Sequence, residues 1–226
     1  MKFNRFARAI GAIALSAIVV PGAAYSQDWQ GVHATGLIGT SALNTDFYEG
    51  YFENNFGASG VGITGGIGLG ADYVTGSTLI GVDADISLLT AQATSFQNTG
   101  SYTGSANNWL GSNQANTLGT ARLRVGHIIN RDMIYLTGGL AIANFNASEK
   151  WPTYSNTSYD SSSVGWQAGW TIGAGLEHEI NSNLSARVEA LFAQFPDMTS
   201  TDSHGYVYRY QNNQVITIRA GLSYRF

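Results

Sequence analysis

Charged side chains recur at every second position in several segments of this sequence, and their types and spacing could support chemistry. Side chains two residues apart on a β-strand point to the same face, so each group would share one face of a strand. Buried charges need partners, and one Arg can hold two carboxylates. Four cations and four anions therefore predict a neutral interior ion-pair network. They are Asp83, Asp85, Arg122, Arg124, Glu177, Arg187, Glu189 and Arg219.

Two other kinds of chemistry use the same residue types. Paired carboxylates such as Asp83 and Asp85 can act as general acid and base. A neighbouring Arg, however, stabilises the ionised carboxylate, and an ionised carboxylate cannot act as a general acid. A narrow solute pathway past the charges is the second alternative. We expect the structural network, with no catalytic residue, no metal site and no bound cofactor.

The sequence contains four histidines, which could be metal ligands or general bases. His33 lies on the polar face of the first predicted strand. His127 and His178 lie on apolar faces near predicted turns, where an aromatic girdle residue is typical. Ser203 precedes His204, but no acid is placed by spacing to complete a hydrolase site. Haem ligation by His204 or by the nearby tyrosines Tyr206, Tyr208 and Tyr210 remains open.

Eight segments alternate between apolar and polar residues, as strands with one apolar face do. Several have roughly the 9–11 residues that a tilted strand needs to cross hydrocarbon. An even number of them predicts an all-β fold, an eight-stranded antiparallel up-and-down transmembrane β-barrel. The segments are residues 29–40, 61–73, 79–88, 118–127, 133–145, 164–180, 184–194 and 214–226.

The connections between these segments fall into two classes of length. Residues 74–78, 128–132 and 181–183 are short and carry Gly, Asn or Asp, as hairpin turns do. The alternate connections are long and rich in Ser, Thr, Asn and Gly, and we expect surface loops there. They are residues 41–60, 89–117, 146–163 and 195–206. Short turns on one side are typical of the periplasmic end of an outer-membrane barrel.

The first residues have the pattern of an export signal. Lys2, Arg5 and Arg8 precede an apolar run over residues 9–20, and small residues follow. This predicts a Sec-type signal peptide over residues 1–26 and one barrel domain over residues 27–226. Charged residues make up only 12% of the 226 residues, the net charge is −4, and Cys is absent. The charge balance argues against a nucleic-acid partner.

Several strand motifs resemble the Omp25/RopB-type, OmpA-like outer-membrane proteins of alphaproteobacteria. The motifs are Leu-Ile-Gly-Val-Asp-Ala-Asp at 79–85, Gly-Thr-Ala-Arg-Leu-Arg-Val-Gly at 119–126, Tyr-Leu-Thr-Gly-Gly-Leu-Ala at 135–141, Gly-Trp-Thr-Ile-Gly-Ala-Gly-Leu-Glu at 169–177, Ser-Ala-Arg-Val-Glu at 185–189, Trp-Gln-Gly at 29–31, and the final strand at 215–226. The chain departs from the pattern at His127 and His178, where relatives usually carry Tyr.

The resemblance implies an exported barrel in the Gram-negative outer membrane, in contact with lipid and lipopolysaccharide. It also implies insertion by the barrel-assembly machinery, which reads the C-terminal aromatic strand, here Tyr224 and Phe226. We expect a surface-exposed protein with a role in envelope integrity and no catalysis. The alternative is a small porin or a receptor for haemin or another ligand.

Overall fold

The computed structural model describes residues 29–49, 54–102, 105–150, 165–201 and 207–226, and within them nearly every residue is in a β-strand. In that part of the chain, no helix is long and apolar enough to cross a bilayer. The strands in chain order are β1 Gly31–Glu49, β2 Asn54–Thr75, β3 Thr78–Leu89, β4 Gln92–Tyr102, β5 Ser105–Ile129, β6 Asp132–Lys150, β7 Gly165–Asn181, β8 Leu184–Gln194, β9 Met198–Thr201 and β10 Val207–Arg225.

Eight of these strands form a closed antiparallel ring. The order around the ring is β1-β2-β3-β5-β6-β7-β8-β10, and β10 pairs with β1 to complete it. The closing register runs from His33 opposite Arg225 to Glu49 opposite Tyr208. Closure leaves no edge strand in the ring, so the backbone N–H and C=O groups of the ring are paired where it crosses the bilayer. The predicted eight-stranded barrel is confirmed.

Three tight turns lie at one end of the ring, which we call the turn end. Thr75 pairs with Thr78 across the first turn, Ile129 with Asp132 across the second, and Asn181 with Leu184 across the third. Gly76 and Asn130 have φ near +60°, as two-residue hairpin turns require. The three predicted short turns are therefore confirmed.

The opposite end, the hairpin end, differs from the prediction. Where surface loops were expected, β1, β2, β5 and β6 continue well past the apolar segments, and β4 and β9 are additional strands. β4 pairs with β5 from Gln92 opposite Gln114 onward, and β9 pairs with β10. Residues such as Ser, Thr and Asn on both faces hide the two-residue period while the backbone ladder continues. The loop assignment over residues 41–60 and 89–117 is wrong for that reason.

The outer surface of the ring carries the apolar face of every strand. On β2, the exposed face runs from Val61, through Ile67, to Tyr73. At about 3.3 Å per residue and a tilt near 45°, this belt is roughly 25–30 Å tall, which matches the apolar band of a transmembrane barrel.

The interior changes character along the barrel axis, and β3 shows the order. Leu79 is buried at the turn end, Asp83 and Asp85 follow, and Leu89 is buried towards the hairpin end. At the turn end, a small apolar cluster that we call the turn-end plug consists of Trp29, Leu79, Ile128, Met133 and Tyr135. A larger one, the hairpin-end cluster, includes Leu43, Phe47, Leu89, Leu118, Phe145, Phe195, Tyr210 and Val215. The charged side chains lie between the two.

Charge introduced into the apolar belt should destabilise the barrel according to depth. Ile67→Arg, at the middle of β2, should cost about 2–4 kcal/mol, while Val61→Arg, at the edge of the belt, should cost about 0–1 kcal/mol. Reversible urea unfolding in lipid vesicles measures both. Equal costs for the two variants would contradict the assignment of the belt to hydrocarbon.

Candidate functional site

The structure places all eight charged residues selected from the sequence inside the barrel. Each side chain points inward because it lies on the polar face of β3, β5, β7, β8 or β10, and none is more than 7% exposed. Within the described strands, they fall into two layers that are stacked along the barrel axis.

The outer charge layer is a closed ring of two arginines and two carboxylates. Arg122 Nη2 donates to Asp85 Oδ2 at 2.8 Å, and its Nη1 donates to Glu189 Oε2 at 2.9 Å. Arg219 Nη1 donates to Asp85 Oδ1 at 2.7 Å, and its Nη2 donates to Glu189 Oε1 at 2.8 Å. Each carboxylate thus accepts from both guanidinium groups. The ring joins β3, β5, β8 and β10 across the lumen.

Two hydroxyl groups occupy the remaining acceptor positions of this ring. Thr120 Oγ1 donates to Asp85 Oδ2 at 2.6 Å, and the Tyr135 hydroxyl donates to Glu189 Oε2 at 3.0 Å. Charge-assisted bonds of this kind are roughly twice as strong as neutral ones. The carboxylates are therefore fully engaged in holding the walls together.

The inner charge layer, nearer the turn end, is centred on Arg124. Its guanidinium donates to both Asp72 oxygens, and Nη1 donates to Glu177 Oε2 at 2.9 Å. Asp83 lies 3.7 Å away, measured from its Oδ2 to Arg124 Nε. Ser185 donates to the other Glu177 oxygen at 2.5 Å. Arg124 thereby links β2, β3, β5 and β7.

His33 bridges two carboxylates of the same layer. Its Nε2 lies 3.1 Å from Asp83 Oδ1, and its Nδ1 lies 3.3 Å from Asp72 Oδ2. Arg187 Nη1 lies 3.7 Å from Asp83 Oδ1. The ring of His33 covers Gly70, its cross-strand partner on β2, where a Cβ atom would lie 2.5 Å from Nε2. Gly70 therefore makes room for the imidazole.

Alternation predicts that these charged residues share the interior, and the structure adds their contacts across the lumen. Asp85 does meet Arg122, and Glu189 does meet Arg219, but Arg122 also reaches Glu189 and Arg219 also reaches Asp85. Each of the two layers therefore joins strands that are not neighbours in the ring. Alternation gives the face of a side chain but not its reach across a closed barrel.

The count of four cations against four anions was too small. Six carboxylates, five arginines and His33 are buried in the interior of the described strands. Each added residue lies on the polar face of its strand, so alternation alone could have found it. The additions are His33, Asp72, Glu179 and Arg225.

The layers are tied to the apolar side chains below them. The Arg225 guanidinium lies over the Trp29 ring at 5.2 Å from its centroid, and the Arg124 guanidinium lies over Tyr135 at 5.3 Å. A cation over an aromatic face is stabilised by the ring quadrupole. The turn-end plug therefore forms a floor for the inner charge layer.

A buried amide organises the interior towards the hairpin end. Asn213 Nδ2 donates to the carbonyl oxygens of Pro196 at 3.0 Å and Tyr210 at 2.9 Å. Its Oδ1 accepts from Thr45 Oγ1 at 2.7 Å and from Asn113 Nδ2 at 3.3 Å. All four hydrogen-bonding positions of the amide are used. Sequence reasoning missed this residue, because it lies just before the predicted final strand at residues 214–226 and was assigned to no element.

The remaining sequence candidates lie elsewhere. His127 and His178 are exposed on the outer wall, and His178 Nδ1 lies 2.8 Å from Asp132 Oδ1. Tyr224 and Phe226 are exposed, with their rings edge to face at 5.3 Å. Tyr208 and Tyr210 are buried.

Four candidates lie outside the described residues, namely the signal peptide over residues 1–26, Ser203, His204 and Tyr206. In the described part of the chain, no group of His, Cys, Asp or Glu is arranged to hold a metal ion.

The family model described as outer membrane protein beta-barrel domain matches residues 10–226. The chain belongs to this family. As a member of it, the chain is an integral protein of the Gram-negative outer membrane. In such barrels, short turns like those of the turn end are typical of the periplasmic side.

Relatives with curated descriptions agree with the resemblance seen in the strand motifs. The chain is 34% identical over 110 residues to a 25 kDa outer-membrane immunogenic protein of Brucella canis, covering 48% of this chain and 46% of that protein. It is 28% identical over 205 residues to a 31 kDa outer-membrane immunogenic protein of Brucella melitensis, covering 83% and 82% respectively. The chain thus spans about half the length of the first relative and most of the second.

Among solved structures, the outer membrane protein OprG from Pseudomonas aeruginosa has a similar fold. The TM-score is 0.51 at 10% identity, and the match covers 87% of this chain and 98% of that one. At this identity the likeness concerns the barrel fold alone.

The space under His33 can be tested with two glycines of β2. Gly70→Ala should destabilise the barrel by about 1–3 kcal/mol, because the added methyl group displaces the His33 ring from its carboxylates. Gly65→Ala is the matched control, since the nearest atom to its Cβ would be 3.7 Å away. Urea unfolding in vesicles compares the two. An unchanged midpoint for Gly70→Ala would contradict the close packing of the inner layer.

Breaking the outer charge layer should be costly. Arg219→Met leaves Asp85 and Glu189 each with one guanidinium partner, Arg122, in place of two, and we expect a loss of about 3–5 kcal/mol. Arg131→Met, in an exposed turn, is the control and should be near neutral. Adding Asp85→Asn to Arg219→Met should recover part of the loss, because it removes a buried charge that has lost a partner. Additive losses in this double-mutant cycle would show that the ring is not coupled.

Proposed function

We propose that this barrel has a structural role at the cell surface, supporting envelope integrity, and that it neither conducts solutes nor catalyses a reaction. The observation that carries the proposal is the closed ring of Arg122, Asp85, Arg219 and Glu189, whose bonds run from wall to wall through the lumen. An eight-stranded barrel is only wide enough for its own side chains. A solute would have to break these charge pairs to pass.

Apolar layers on both sides of the charges support a closed lumen. The turn-end plug buries Trp29, Leu79 and Met133 completely. In the hairpin-end cluster, Phe145 packs edge to face against Phe195 at 5.1 Å, and Phe47 against Tyr210 at 5.4 Å. Ions and polar solutes lose their hydration in such apolar layers without gaining hydrogen bonds, so crossing the layers is unfavourable. The charged residues between the two apolar clusters then stabilise the barrel and do not select solutes.

The same contacts argue against catalysis in the lumen. Asp85 and Glu189 each accept from two guanidinium groups, and the Tyr135 hydroxyl already donates to Glu189. A general acid must hold a proton and reach a substrate. These carboxylates are stabilised as anions and are buried, so the barrel is better suited to rigidity than to proton transfer.

The hairpin end supports a role at the surface. β5 continues from the belt to Ser105, which at about 3.3 Å per residue and the same tilt places the hairpin with β4 roughly 30 Å beyond the bilayer. The Brucella relatives are described as outer-membrane immunogenic proteins. We propose that the hairpins are the surface-exposed part and lie against lipopolysaccharide. We also propose that Tyr224 and Phe226 are read by the barrel-assembly machinery.

Conductance separates this proposal from a small porin. The protein, reconstituted in planar bilayers, should give no steady ohmic channels, while a general porin at the same protein-to-lipid ratio provides the positive control. Folding is verified by the heat-dependent shift in electrophoretic mobility. Steady channels whose conductance changes in Arg124→Ala would establish a solute pathway through the charge layers and overturn the proposal.

Haemin titration tests the receptor alternative. The folded protein in detergent should give no saturable shift of the haemin absorption band, because Tyr208 and Tyr210 are buried. A saturable shift that is lost in His204→Ala would assign a ligand-binding function to the surface hairpins. Free haemin with detergent alone is the blank.

A further inference from the structure

A groove on the outer wall of the barrel lies near the turn end, across β5, β6, β7 and β8. Its volume is about 780 Å³, within the range of roughly 300–1,000 Å³ that is typical of small-ligand sites. We call it the wall groove. The residues that shape it are Val125, Ile134, Leu136, Ala174, Val188 and Ala190.

The groove follows from the order of large and small side chains in the cross-strand register. Ala174 of β7 pairs with Ala190 of β8. The neighbouring pair on the hairpin side is Ile172 with Phe192, and the pair on the turn side is Leu176 with Val188. Two alanines between rows of larger residues leave a depression in the wall. It lies within the apolar belt, so its occupant contacts hydrocarbon.

The periplasmic end of the groove is polar. His127, which lines the groove, pairs with Ile134 one row below Leu136. The next row pairs Asp132 with His178, whose side chains are 54% and 57% exposed and lie 2.8 Å apart. Arg131, in the turn, is exposed and precedes Asp132. This places imidazole and guanidinium groups at the depth of the lipid headgroups.

We propose that the wall groove binds one glycerophospholipid of the periplasmic leaflet. One acyl chain lies against Ala174 and Ala190, and the phosphate is bound by His127 and Arg131. Arginine recognises phosphate through its planar array of donors. Asp132 Oδ1 lies within hydrogen-bond distance of Nδ1 of His178, so this carboxylate is already paired with an imidazole.

A second copy of the chain is the other occupant that an apolar wall could accept. In a twofold contact at the same membrane depth, each face meets its own equivalent. Arg131 of one copy would then approach Arg131 of the other, and like charges across an interface are unfavourable. The polar end of the groove therefore favours a phosphate group. This inference depends on the membrane assignment and not on the closed lumen.

The test is native mass spectrometry of the folded full-length protein released from detergent, with one lipid added at a time. Phosphatidylglycerol and phosphatidylethanolamine are compared with a diacylglycerol that has the same chains and no phosphate. We expect one retained molecule per barrel for either phospholipid and none for diacylglycerol. Equal retention of diacylglycerol would overturn the phosphate site.

Two variants locate the bound lipid. Ala190→Phe fills the groove and should reduce retention at least about tenfold, while Ala71→Phe, the same change on β2 at the opposite side of the ring, should leave it unchanged. His127→Ala with Arg131→Ala should weaken phospholipid retention but leave folding intact, since both residues are at the surface. Equal retention in all variants would overturn the proposal. So would a dimer that Ala190→Phe converts to a monomer, because the occupant would then be a second copy.

Discussion

The interaction on which the structure depends is the ring in which Arg122 and Arg219 each hold both Asp85 and Glu189. A transmembrane barrel presents its apolar residues outward, so its polar residues must be accommodated inside. The charged side chains in the interior of the described strands are at most 7% exposed, so water solvates them poorly and each must be neutralised by another side chain. Arginine is suited to this because one planar group can bridge two carboxylates.

The shape of the wall follows from the same constraint. Long charged side chains need space, and the strands provide it where small residues face inward. Gly70 lies under the His33 ring, and Gly175 lies under the ring of Tyr135, whose hydroxyl reaches Glu189. Any Cβ at those positions would meet the ring. The network therefore specifies glycine at sites that carry no charge themselves.

The extent to which the sequence predicts this structure differs between the wall and the interior. Alternation along eight segments, of which those in β3 and β10 are examples, is enough to predict the strands, their faces and an eight-stranded ring, because it reports a single contrast between lipid and lumen. In the strand segments beyond the apolar belt, at the hairpin end, this contrast disappears. Asn113 and Asn213 are buried there, but no apolar outward face marks their segments as strands. The contact of Arg219 with Asp85 joins strands that are not neighbours in the ring. Its prediction requires the diameter and the register, which alternation does not contain.

A closed interior limits where specificity can arise. If the charge layers and the two apolar clusters only stabilise the barrel, then variation inside is restricted by packing, and recognition must use the outer surface. That surface has two parts: the polar hairpins of β4 and β5, and an apolar belt in which few features distinguish one position from another. The wall groove is such a feature, because Ala174 and Ala190 interrupt the belt next to His127 and the Asp132–His178 pair. Since those groups are not needed to neutralise the lumen, their presence at headgroup depth is better explained by contact with the membrane than by the stability of the barrel.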